Sequence, residues 1–283
     1  MRLDAGEIRN WAALRRHSEV ERDLADRLRA APPVGRLGLY RDVYNELFRR
    51  VPDHPQNSRK VDPSRQEQKT AWQLRMLSPF LTPETVFLEV GAGDGHLTAA
   101  VATRVRRAYA LDVSDVISQT PGRPANLSPV LSDGVSIPVP AGSVDVSYSN
   151  SLIEHLHPDD AAAQLANILV ALAPGGVYIC RTPHRFAGPQ DISRYFDHEA
   201  RGFHLKEYTY AELRRLFRRT GFAETSPRVR YKGPGVGVPE MVFLPMEATL
   251  GSFPRAVRGW IARRRALRSL FDGVMIVGRK AGQ

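Results

Sequence analysis

FLEVGAGDGHLT, residues 87–98, decides how this chain is read. A short apolar run closes on Glu89 and Val90, three glycines alternate at Gly91, Gly93 and Gly95 around Ala92 and Asp94, and helix-forming residues follow. Glycine lacks a Cβ, so such a strand-to-helix turn bends tightly and lets a ligand lie against the main chain. A dinucleotide fingerprint would place its third glycine at position 96. His96 stands there, and a hydride-transfer reading loses its support.

Outward from this turn, β-rich runs alternate with helical stretches. VFLEV at 86–90 is followed by AYALD at 108–112, SPVL at 128–131, VDVSYS at 144–149 and GGVYICRT at 175–182. Strands spaced by helical segments predict βαβ units and a mostly parallel sheet. A helix over 158–172 starts at Pro158 and stops at Pro174-Gly175-Gly176. Another begins at Thr209, where Glu212 has capping-box spacing, and ends at Gly221. Two late strands, 222–231 and 273–280, bracket an insertion at about 232–272. Before the sheet, residues 1–80 read as a helical extension or lid, with helices over the first 30 residues, Tyr40–Arg50 and Ser64–Phe80, and a Pro/Asn/Ser-rich passage at 52–63. The domain proper is then 81–283.

Composition sets limits on this reading. The 283 residues hold 42% hydrophobic and 25% charged side chains, within the globular range. Cys180 is the single cysteine, which excludes an internal disulfide and points to a reducing cytoplasm. The net charge of +10 is regional: residues 1–200 carry 23 basic and 24 acidic side chains, residues 201–283 carry 17 and 6. No apolar run is long enough to span a bilayer.

The glycine turn, with Glu89 two positions before it, resembles the first motif of class I S-adenosylmethionine-dependent methyltransferases, and the resemblance continues in order along residues 85–222 and the final strand pair. It implies an α/β, Rossmann-like, seven-stranded, mostly parallel sheet with an antiparallel last strand. It also implies S-adenosylmethionine as cofactor, held at Glu89, Gly91, Ala92, Gly93 and Gly95. Asp112 would accept the ribose hydroxyls, as an acid at that strand end does in nucleotide-binding folds. By the same resemblance Val113 would lie along the adenine, Asp133 beside Gly134 would accept from its amine, and Ser149 and Asn150 would face the methionine end and the acceptor.

The acceptor chemistry should follow the fourth and fifth strands. Residues 150–160 and 181–209 hold five of the eight histidines. Ile-Glu-His-Leu after strand four, Thr-Pro after strand five and a later His resemble the ubiquinone-type and sugar O-methyltransferases. Some relatives use Glu-x-x-Glu-His with a distant His to hold a divalent metal against a vicinal diol. Glu154, His155 and His204 match three of those four positions, and Ser151 stands in place of the first Glu. Two catalytic readings stay open. Glu154, His155 and His204 hold a divalent metal such as Mg, or His155 or His204 acts as general base, since an imidazole near pKa 6.5 accepts a proton at neutral pH. A third reading gives Glu154 and His155 only a positioning role. Tyr40, Tyr44, His54, His184, Tyr195 and Phe196 are the residues expected to line the acceptor pocket.

The expected acceptor is a small hydroxylated molecule, a sugar or a phenol, with an RNA ribose or a lipid- or glycan-linked hydroxyl as the alternative. Nucleic acid is not the expected partner: the Asn/Asp-Pro-Pro-aromatic run of base N-methyltransferases is replaced by Ser149-Asn150-Ser151-Leu152, and Cys180 falls inside a buried strand. Residues 253–271 contain six Arg and no acid, with Phe253, Val257, Trp260, Ile261, Leu267 and Phe271 at helical spacing. One helix there would either pack its apolar stripe on the core or touch an anionic membrane surface. The oligomeric state is not set by the sequence.

Overall fold

The protein is described by a computed structural model covering residues 7–55, 63–115, 117, 122–229, 236–264, 267–271 and 273–282. Parts of the 52–63 passage, of the 222–231 strand and of the basic insertion, Arg265 among them, lie outside these residues.

The sheet is built around β1 (Val86–Val90), whose five residues are all buried. Helices cover both of its faces, which is why the run is almost wholly apolar rather than alternating. β1 pairs in parallel with β2 (Arg107–Asp112) on one side and β4 (Val144–Asn150) on the other. β3 (Leu127–Leu131) adds to β2, and β5 (Leu172–Thr182) to β4, also in parallel. β8 (Val274–Arg279) runs antiparallel between β5 and β6 (Glu224–Val229). The order is β3-β2-β1-β4-β5-β8-β6-β7. Seven strands are those expected, and the eighth, β7, is a two-residue edge, Val236–Gly237. The strand order reverses between β1 and β4, and open α/β sheets bind ligands beyond the carboxyl ends of the strands at such a point.

The N-terminal helices are α1 (Trp11–Ala30), α2 (Pro33–Arg36), α3 (Leu39–Arg50) and α4 (Pro63–Leu77). Leu24 and Leu28 of α1 and Val43 and Leu47 of α3 join Leu88, Val90 and Tyr178 of the sheet in one core. They are held by a buried clamp to α6 (Pro158–Ala171): Arg36 donates to both oxygens of Asp160, at 2.6 and 2.9 Å, and the Tyr40 hydroxyl donates to the same carboxylate at 2.5 Å. The short α5 (His96–Ala102) leads from the glycine turn, and α7 (Tyr210–Thr220) carries the Thr209–Glu212 capping box and stops at Gly221, φ +111°.

The insertion departs from expectation. It contains α8 (Glu240–Gly251), which runs through Pro245. The single helix expected over 253–271 is instead α9 (Arg255–Ala262) and α10 (Arg268–Phe271), with Arg263 and Arg264 in the turn after α9. Gly259 and Ala262 face inward, so its larger apolar residues do not all reach the core. Among the described residues no helix is long and apolar enough to cross a membrane.

Candidate active site

The glycine turn adopts the backbone the sequence calls for. Gly91, Gly93 and Gly95 have φ of +76°, +59° and +75°. A Cβ on Gly91 would lie 3.1 Å from the Leu152 side chain, whereas Gly93 faces open space. Asp112, at the end of β2, accepts the Gly93 N–H at 2.8 Å and the Ser114 N–H at 2.9 Å, so its carboxylate ties the two loops together. Glu89 is buried under the turn and accepts from the Thr98 hydroxyl. Burial pushes its carboxyl up to about 8, against the pull of Thr98 and Lys69.

A cavity opens beside this turn. Val90, Gly91, Leu111, Asp112, Val113, Ser132 and Gly134 form one side of it, Tyr40, Tyr44, Leu152, His155, Leu156 and Gln164 the other. The Tyr40 ring packs so closely on Gly134 that a Cβ there would come within 2.7 Å of it. Asp133 is turned into its own loop, where its carboxylate accepts from the N–H groups of Val135 and Ser136 at 2.8 and 2.7 Å and from the Ser136 hydroxyl at 2.7 Å. Burial opposes its charge, and these donors hold it below the ordinary carboxylate range nonetheless. Asn150 accepts from Arg181 at 2.9 Å, and Ser149 shares a 2.7 Å hydrogen bond with Tyr178.

β4 ends at Asn150, and the next residue, Ser151, has a φ of +56°, in the left-handed region that non-glycine residues seldom adopt. The chain then enters a short 3-10 turn, Ile153–His155. Ligand atoms of Glu154, His155 and His204 come within 4.8 Å of one another. The His155 and His204 rings meet edge to face at 4.9 Å. Each polar atom not facing the cluster has a partner. Thr182 donates to one Glu154 oxygen at 2.9 Å, the His155 Nδ1–H donates to the Phe203 carbonyl at 2.9 Å, and the His204 Nδ1–H donates to Glu207 at 2.8 Å. The other Glu154 oxygen, Oε1, is buried and has no hydrogen-bond partner among the described residues.

The electrostatics of the trio are divided. Burial, reinforced by His204, pushes His155 down to about 3 and keeps it neutral. Burial also opposes charge on His204, but Glu207, Glu154 and Asp191 outweigh it and raise its pKa to about 9. Burial raises the Glu154 carboxyl. Neither imidazole keeps the near-neutral value on which the general-base reading rests.

Residues 46–226 match the family profile described as a methyltransferase domain. The chain belongs to the methyltransferase family. No curated protein matches this methyltransferase by sequence. Solved structures similar in fold include a putative methyltransferase of Haloferax volcanii in complex with the Trm112 methyltransferase activator, at 19% identity and TM-score 0.54, covering 79% of this chain and 95% of that one. A second is the 1,6-didemethyltoxoflavin-N1-methyltransferase of Burkholderia thailandensis with 1,6-didemethyltoxoflavin and S-adenosylhomocysteine bound. It is 18% identical with TM-score 0.51, covering 89% and 91% of the two chains. A third, a SAM-dependent methyltransferase of Archaeoglobus fulgidus, has 16% identity and TM-score 0.51 over 76% and 94%.

The remaining lining residues of the methyltransferase divide. Tyr40 and Tyr44 line the cavity. His184 does not: it is buried, donates to Glu247 at 2.9 Å and accepts the Phe186 N–H at 3.0 Å. Tyr195 and Phe196 pack edge-on against Trp11 of α1. His54 joins a second buried cluster that sequence reading missed. There Arg9 donates to His17 Nδ1 at 2.8 Å, and the His17 Nε2–H donates to Glu21 at 2.7 Å. His54 Nε2 lies 3.8 Å from Glu21. The other Glu21 oxygen accepts the Phe203 N–H at 3.0 Å, while the Phe203 carbonyl holds His155. Glu21 and His17 have i,i+4 spacing on α1, but Phe203 is 182 positions from Glu21, so no local pattern could have joined them.

Proposed function

We propose that this methyltransferase transfers the methyl group of S-adenosylmethionine to a hydroxyl oxygen of a small sugar-like or phenolic acceptor, with a divalent cation held by Glu154, His155 and His204. The observation that carries the reading is Glu154 Oε1, a buried carboxylate oxygen without a hydrogen-bond partner among the described residues, facing two imidazoles whose outer N–H groups are already fixed. Metal-ligating histidines are held in this way, with the second ring nitrogen donating to a carbonyl or carboxylate. Two imidazoles and one carboxylate suit manganese, cobalt or zinc better than magnesium, the ion named from the sequence. Such a cation would make the acceptor hydroxyl more acidic.

The chain's own residues would supply the rest. Glu89, Asp112 and the Gly91–Gly95 turn would hold the cofactor at the β1–β4 switch point, and His155 lines the same cavity, which brings the two halves of the site within reach of one molecule. The acceptor oxygen would form its bond to the methyl carbon as the carbon–sulfur bond breaks, the electron pair neutralising the sulfonium and the hydroxyl proton leaving to solvent. Holding the two partners in line is most of what such a transfer requires.

A ribose hydroxyl in RNA is favoured by a different observation, a concave surface where Arg214, Arg215, Arg218 and Arg219 of α7 meet Leu244 of α8. Four measurements test these readings. Calorimetry with S-adenosylhomocysteine should show binding, and its failure would remove both. Chelator-treated protein should take up Mn²⁺, with the uptake lost in Glu154→Gln, and methyl transfer to a panel of catechols and glycosides should depend on it. Transfer that is indifferent to chelator would remove the cation, and transfer to amines alone would remove the hydroxyl acceptor. RNA binding that weakens steeply with salt would favour ribose.

A further inference from the structure

The apolar stripe of α9 points the wrong way for a helix that merely packs on its own core. Val257 and Trp260, three positions apart on α9, and Phe253, just before its N-cap, are 41%, 58% and 43% exposed. The opposite face buries Gly259 and Ala262, with Ile261 packed against the same small cluster. Leaving side chains of this size in water is unfavourable, and three of them exposed within eight residues mark a contact surface. The segment that carries it supplies cations and no acid, and Glu199 pairs with Arg255 at its edge. Arg255, Arg263 and Arg264 are exposed, Arg264 lies over the Trp260 ring at 3.6 Å, and no acidic residue occurs between 253 and 271.

We propose that this stripe docks on an anionic lipid bilayer, Phe253, Val257 and Trp260 entering the headgroup boundary and the arginines meeting lipid phosphates. An apolar face rimmed by cations and carrying Trp and Phe is the pattern of an interfacial helix, and charge complementarity selects an anionic membrane over a neutral one. The docking would bear on the site. Arg255 pairs with Glu199 at 2.8 Å and Arg258 lies over Phe186 at 4.6 Å, so α9 is fastened to the segment after β5 that also carries His204. The acceptor side would then lie near the bilayer, within reach of a hydroxyl on a lipid-linked molecule. The docking itself does not depend on the acceptor chemistry.

The experiment is cosedimentation of the full chain with vesicles of phosphatidylcholine alone and of phosphatidylcholine with 30% phosphatidylglycerol, across a salt series. Binding is expected only to the anionic vesicles, weakening as salt rises. Arg263→Gln should lower the partition coefficient about five-fold, following the roughly 1 kcal/mol per basic residue near such a surface. Phe253→Ser with Trp260→Ser should abolish binding. Both residues are exposed, and a thermal melt within a few degrees of wild type shows that the variant is folded. No binding at low salt would overturn the proposal, as would equal binding to neutral vesicles or binding by the double variant. A concentration-dependent dimer in analytical ultracentrifugation, lost in the double variant, would assign the stripe to a second copy of the chain instead.

Discussion

Replacing Glu89 by Gln should make the cofactor-free protein more stable at alkaline pH while weakening its hold on the cofactor. The carboxyl sits under the glycine turn with burial raising it from 4.5 to about 8. Between these values the folded chain keeps a proton that the unfolded chain has released. Stability is therefore fully present below about 4.5 and is lost as pH rises through 8. The shift corresponds to about 5 kcal/mol once pH exceeds 8. Gln carries no charge at any of these values and can still partner the Thr98 hydroxyl. Thermal unfolding of the two proteins from pH 5 to 9 should give curves that meet at the acid end and diverge upward, by roughly 10 °C at pH 8.5. Calorimetry with S-adenosylhomocysteine, whose amino group is cationic, should show the opposite ranking. The wild-type affinity should rise with pH as the carboxylate ionises, and the Gln variant should bind more weakly with less dependence on pH. Parallel melting curves would refute the buried-acid argument, and equal affinities would remove Glu89 from the cofactor site.

Other perturbations separate the cofactor end from the acceptor end. His155→Ala should leave S-adenosylhomocysteine affinity within a few-fold of wild type and abolish methyl transfer, and loss of cofactor binding would contradict the placement of His155. Asp160→Ala strands the buried Arg36 guanidinium and should cost about 3–5 kcal/mol in denaturant unfolding. Gly134→Ala forces a side chain into the Tyr40 ring at a φ of +100°, and a loss of roughly 1–3 kcal/mol is expected. Burial pushes the Cys180 thiol up to about 12, so alkylation by iodoacetamide at pH 8 should proceed only on unfolding.

What was legible beforehand followed from local chemistry. The glycine turn, the strand–helix alternation and the Thr209–Glu212 box each depend on residues a few positions apart, and each formed close to where expected, with β5 starting at Leu172 and running through the Pro174-Gly175-Gly176 expected to stop the helix. Glu154, His155 and His204 were singled out through resemblance rather than spacing, with their role left open, and their ligand atoms lie within 4.8 Å of one another. What escaped was set by long-range contact or by direction. α8 forms through Pro245, against the usual weight of an internal proline, with Phe243 and Leu250 buried. The period of Phe253, Val257 and Trp260 suggests one helix face, but Phe253 falls before α9 and the other two turn outward. His184 and His54 have the composition of site residues, yet buried carboxylates claim their ring nitrogens or draw them close.

The grip on Phe203 has a consequence for how the acceptor imidazole is aimed. Its N–H is held by Glu21 of α1 and its carbonyl by His155, so the orientation of that imidazole depends on a helix far from it in sequence. A change at Glu21 should therefore reach His155 through the Phe203 backbone while leaving the Gly91–Gly95 turn as it is.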